Sequence, residues 1–150
     1  MIDYNKIMDE VKDLVRKYLN LGRPIGLAIS RFRIEVGAYW VLGSNYIVLN
    51  QNLVDALNSI TIEEREMRDI ILVILMHEYL HSLGFQGEEE TRQKTREIIG
   101  AFYGPESMEY RIAEEGPWGL YPEIMHYPYK IEDSITFQKN FDSESFDYFS

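Results

Sequence analysis

The stretch from Thr61 to Gly84 constrains the fold more than any other part of the chain. It opens on Thr61-Ile62-Glu63-Glu64, which has the form of a capping box, and closes near Leu83, with Gly84 where a left-handed cap usually sits. The spacing predicts one long helix. Glu63, Glu64 and Glu66 fall in its first turns, where the helix dipole favours negative charge. The apolar run Ile70 to Met76 gives it a face that other elements must cover. That run is too short to span a bilayer, which needs about 20 residues, and it stops at His77 and Glu78.

The rest of the chain supplies covering elements of two kinds. Residues 3 to 20 place Ile7, Met8, Val11, Leu14, Val15 and Tyr18 at helical spacing between charges, with Asn20 and Gly22 as a stop. From Ile25 to Val36 the β-branched and aromatic content rises, and Ser30 to Val36 alternates polar with apolar as a half-buried strand does. Two further extended runs, Ala38 to Leu42 and Tyr46 to Leu49, flank Gly43-Ser44-Asn45, a loop suited to a hairpin. Asn50 is a suitable N-cap for a short helix through Leu57. Beyond Gly87 a helix is expected over residues 88 to 101, and another over 106 to 115 that Gly116-Pro117 closes. The expected fold class is α+β: a small, mostly antiparallel sheet packed against several helices.

At 150 residues the chain suits one domain, whose core can bury roughly 68 to 70% of the unfolded surface. The acidic, aromatic residues 141–150 read as a tail. There is no cysteine, so disulfides, thiolate metal sites and cysteine nucleophiles are all excluded. Any metal must sit on imidazole and carboxylate. The absence of cysteine is compatible with a reducing cytosol, and a cytoplasmic location is the default expectation. Fifteen basic residues against 25 acidic ones give a formal charge of -10, the wrong sign for gripping nucleic acid. The start, MIDYNKIMDEVKDLV, has mixed charge and no apolar core, so it does not read as a signal peptide. Neither nucleic acid nor membrane is an expected partner.

Chemistry concentrates at His77-Glu78-Tyr79-Leu80-His81. Residues four apart lie on one helix face, about 5 to 6 Å apart at Cβ, so the His77 and His81 imidazoles can converge on one ion. Glu78 lies about 100° round the helix, beside the metal and within reach of its water. The spacing separates ligand from base. Zinc would acidify its water to a pKa of about 7, Glu78 would accept the proton, and peptide hydrolysis is the natural reaction.

A catalytic zinc usually has three protein ligands, and three regions compete to supply the third. Glu88-Glu89-Glu90 follow the Gly84 to Gly87 turn, where a chain reversal would bring the next helix back over the metal, with Glu88 preferred. Glu114-Glu115 is a second region. His126, the remaining histidine, is the third, and its neighbour Tyr127 is a candidate hydrogen-bond donor to an oxyanion.

The segment His77 to Gly84 resembles the zincin metallopeptidases, and the compact size with Glu88 to Arg92 resembles the soluble archaeal minigluzincins. That resemblance, over roughly residues 38 to 100, implies a zincin-like fold with an active-site helix and a glutamate helix. It makes His77, His81 and Glu88 the zinc ligands and Glu78 the base. It also implies self-blocking by a terminal segment, for which residues 141–150 are the candidate. A rival resemblance is to the metzincins: His81-Ser82-Leu83-Gly84-Phe85 continues as their longer motif does, and Ile124-Met125-His126-Tyr127 is similar to an astacin-type methionine turn. Where metzincins place a third histidine this chain has Gly87, which has no side chain to offer.

The expected function is zinc-dependent peptide-bond hydrolysis on a peptide or protein substrate. The alternative is a non-catalytic protein holding a structural or sensory zinc on the same ligands.

Overall fold

Helix α1 (Tyr4–Leu19) follows from the amphipathic opening: Asp3 caps it by accepting from the Lys6 amide, and Ile7, Met8, Val11, Leu14 and Val15 are buried. The computed structural model of the protein describes residues 1–138, so the expected tail at 141–150 and its blocking role lie outside the described residues. Asn20 takes the left-handed conformation (φ 57°) that ends the helix. Tyr18 does not join the buried face. It is exposed, and its ring meets Phe102 edge-on at 6.5 Å.

Strands β1 (Gly26–Ser30), β2 (Ala38–Trp40), β3 (Tyr46–Asn50) and β4 (Thr136–Phe137) form a sheet in the order β2-β3-β1-β4. The sheet is mixed: two of its three pairings are antiparallel, but its central pair, β1 with β3, is parallel, registered from Gly26 on Tyr46 to Ser30 on Asn50. The hairpin is present, with β2 antiparallel to β3, and β4 adds an antiparallel edge on β1. Both central strands are buried along almost their whole length, as parallel strands covered on two faces are.

The alternating segment Ser30 to Val36 is not a strand beyond Ser30; residues 31–37 form a loop. Fully buried Asn50 explains why. Its amide nitrogen lies 3.2, 2.8 and 2.8 Å from the carbonyls of Phe32, Arg33 and Val36, and its oxygen accepts from the Phe32 amide at 3.1 Å. Asn50 meets several of the loop's backbone groups, and the Asn52 and Trp118 side chains meet the Phe32 and Ile34 carbonyls, so side chains stand in for a neighbouring strand. Asn50 also caps α2 (Gln51–Ser59) through the Asn52 amide, as expected.

Helix α3 (Glu64–Ser82) is the central element and packs against α1, α4, α5, β2 and β3. The capping box does not form. Glu63 is the N-cap without a side-chain bond, while Thr61 adopts φ 54° and its hydroxyl donates to the Ile60 carbonyl. Thr61 is used to turn the chain out of α2, which leaves Glu64 and Glu66 to favour the helix start through charge.

Helix α4 (Glu88–Tyr103) starts where expected, at Gly87. Helix α5 (Met108–Leu120) passes its expected end: Gly116 breaks it at φ 70°, and Pro117 starts one more turn. That turn carries Trp118, whose indole N–H donates to the Ile34 carbonyl at 2.8 Å and ties α5 to the 31–37 loop. A 3₁₀ segment, Pro122–His126, follows. One hydrophobic cluster draws Val11, Leu27, Ile47, Leu53, Ile70, Ile98 and Ile112 together from helices and sheet alike. Among the described residues no helix is long and apolar enough to cross a membrane.

Candidate metal centre

The last turns of α3 bring the two histidines to one point. Their Nε2 atoms are 3.1 Å apart, and their rings stand nearly perpendicular at 84°. His81 Nδ1 donates to the Phe85 carbonyl at 2.6 Å, which fixes that tautomer and leaves the Nε2 lone pair free. Phe85 is in place because Gly84 turns the chain at φ 112°, a conformation suited to glycine.

Glu88, the first residue of α4, closes the set. Its Oε1 is 2.8 Å from His81 Nε2 and its Oε2 is 3.1 Å from His77 Nε2. Burial pushes the Glu88 carboxyl up, but His77 and His81 outweigh burial and hold it below the usual carboxylate range. Burial lowers the His77 pKa and Glu88 opposes this, so the imidazole favours its neutral, ligating form.

Glu78 stands further off, with Oε2 4.0 Å from His77 Nε2. Burial, and then the nearby Glu88 charge, push its carboxyl up to about 8 against a hydrogen bond from the Trp40 backbone. His77, Glu78 and His81 each offer a ligand atom within 4.8 Å of the others, a group able to hold a metal ion. Two carboxylates therefore stand near the imidazoles. Glu88 is the nearer to both ring nitrogens, and Glu78 is held by β2 to one side.

His77, Glu78 and Glu88 line a cleft of about 580 Å³ bounded by Val36, Gly37 and Ala38 on one side and by α4 and α5 on others. Glu89, Glu114 and Glu115 are also on its wall. Glu89 is engaged by Arg92 and Arg96 at 3.7 and 3.5 Å, and Glu115 by Arg111 at 2.9 Å. Glu90 is exposed on the first turn of α4. His126 is exposed at the end of the 3₁₀ segment, and Met125 beside it is 41% exposed. Tyr127 lines a different cavity with Arg31 and Asn52. Neither His126 nor Tyr127 is among the residues that line the cleft.

Three contributors escaped the reading of the sequence. The Trp40 backbone and the Phe85 carbonyl carry no residue-type signal, since any residue supplies them. Gly37 did carry one. A Cβ there would lie 3.1 and 3.3 Å from two Ile74 methyl carbons, so glycine lets β2 press onto α3 one turn before His77.

No family model matches the chain, and no curated protein or solved structure matches it.

Proposed function

We propose that the protein is a zinc-dependent peptidase in which His77, His81 and Glu88 hold the metal and Glu78 is the general base. The donor set fits zinc, since two neutral imidazoles and one carboxylate are the ligands of a known class of catalytic site with an open position. When bound, zinc supplies Lewis acidity and an acidified water. Glu78 would serve there as the group that takes up a proton and gives one to the leaving amine. Its raised carboxyl pKa reflects burial and then the Glu88 charge, both of which a bound cation would oppose.

Strand β2 is the outer strand on its side of the sheet; its first residue, Ala38, lines the cleft, and the Trp40 backbone hydrogen-bonds Glu78. An open strand edge presents backbone donors and acceptors, so an extended peptide is the substrate form that suits it. The motif's resemblance to the zincins, and that of Glu88 to the third ligand of the minigluzincins, support the same reading and a zincin-like fold. The observation that carries it is the difference in reach: Glu88 is 2.8 and 3.1 Å from the two Nε2 atoms, whereas Glu78 is 4.0 Å from the nearer one.

The test is Glu78→Gln. Zinc binding without hydrolysis of a peptide library that the wild type cleaves is the expected result. Equal, negligible turnover by both proteins with zinc bound would favour a structural or sensory site.

A further inference from the structure

Building on the proposed metal site, we infer that Thr91 is a positioning residue, through which one turn of α4 addresses both ring nitrogens of His81. Glu88 meets Nε2 at 2.8 Å, and the Thr91 hydroxyl lies 3.4 Å from Nδ1. Residues three apart share a helix face, so the two side chains reach His81 from the same side of α4.

The surroundings of Thr91 make this more than proximity. Thr91 is fully buried, and its hydroxyl lies 2.7 Å from the Gly87 carbonyl and 3.0 Å from the Phe85 carbonyl. Phe85 is also the acceptor of the His81 Nδ1 proton at 2.6 Å. A hydroxyl carries one proton, so Thr91 donates to one of these carbonyls while its oxygen turns lone pairs toward the imidazole N–H. Donation to Phe85 clamps the link between α3 and α4 at the carbonyl that orients His81, and donation to Gly87 ties the first turn of α4 to the residue before it. The start of α4, and with it Glu88, is held in register by the same side chain. Groups that orient metal-binding histidines affect affinity by about 10- to 100-fold when removed.

Thr95 provides an internal control. It is also buried on α4, and its hydroxyl donates at 2.8 Å to the Thr91 carbonyl, within its own helix. Thr95→Val therefore loses a buried hydroxyl without touching the link to α3.

The experiment measures the zinc Kd by competition with a chromophoric chelator, and the visible spectrum of the Co²⁺ form, for wild type, Thr91→Val, Thr91→Ser and Thr95→Val. Thr91→Val should bind zinc about 10- to 100-fold more weakly with an altered Co²⁺ spectrum, and Thr91→Ser should restore both. Thr95→Val should match the wild type. Unchanged affinity in Thr91→Val would overturn the inference, as would a serine variant as weak as the valine one, or an equal loss in Thr95→Val. A wild type that takes up no zinc would overturn the metal site itself, which is a separate and visible failure.

Discussion

Helix α3 carries two carboxylates, one buried and one half-buried, that each face an acid on a later helix, yet their surroundings differ. Asp69 faces Glu109 of α5, and Glu78 faces Glu88 of α4. Burial is the main cause that raises both, the opposing acid is the next, and their carboxyls reach about 6 and about 8. Asp69 has cations built in, with Arg68 at 3.5 Å and Arg65 also lowering its pKa. Glu78 has imidazoles beside it instead, at His77 and His81. One acid pair is compensated by the chain itself. The other has imidazoles in place of built-in cations, a group that could hold a metal ion.

The comparison breaks most visibly at Glu78. Glu78→Gln should lower kcat about 10²- to 10⁴-fold while zinc stays bound, measured by peptide turnover and metal analysis together. Turnover within a few-fold of wild type would remove Glu78 from the chemistry.

Asp69→Asn should act on stability alone. The folded carboxyl titrates at about 6, above its ordinary value of 3.8, so its stabilising contribution is fully present below pH 4 and is lost as pH rises through 6. The variant should therefore gain about 2 kcal/mol over wild type at pH 8 in denaturant unfolding, and no gain should remain at pH 3.5. A pH-independent difference would show that Asp69 is not titrating as described.

Gly37→Ala tests the strand edge, which only the Glu78 side possesses. The added methyl meets Ile74, so a loss of about 1 kcal/mol in stability is expected, with a fall in turnover because β2 no longer seats against Glu78. Full turnover would uncouple β2 from the site. The exposed pair of Asp13 and Lys17, at 2.9 Å, sets the baseline for charge without burial: Lys17→Gln should change unfolding free energy by less than about 0.5 kcal/mol. A larger change would mean that surface charge, and not burial, dominates this acidic chain.

What could be read from the sequence was local. The placing of His77, Glu78 and His81 follows from helical spacing, whereas the link from Gly84 to Gly87 points to Glu88-Glu89-Glu90 with Glu88 preferred and leaves its register, and two other regions, open. The first helix, the hairpin and the Asn50 cap rest on signals of the same short range. The misreadings have long-range causes. Arg31 to Val36 alternates like a strand, but Asn50, more than a dozen positions on, satisfies its carbonyls. Thr61 has a capping pattern, but the turn out of α2 claims it at φ 54°. The parallel pairing of β1 with β3 depends on which strand becomes the neighbour after the 31–37 loop, which no window of sequence encodes. Tyr127 stands next to a histidine in the chain, but in the structure it lines the cavity by Arg31 and Asn52.

The most direct measurement is the zinc content of purified wild type and His81→Ala after exhaustive dialysis against metal-free buffer. Convergence of His77, His81 and Glu88 on one point predicts one zinc per wild-type chain and none in the variant. Zinc absent from the wild type, or retained at equal stoichiometry in His81→Ala, would contradict it.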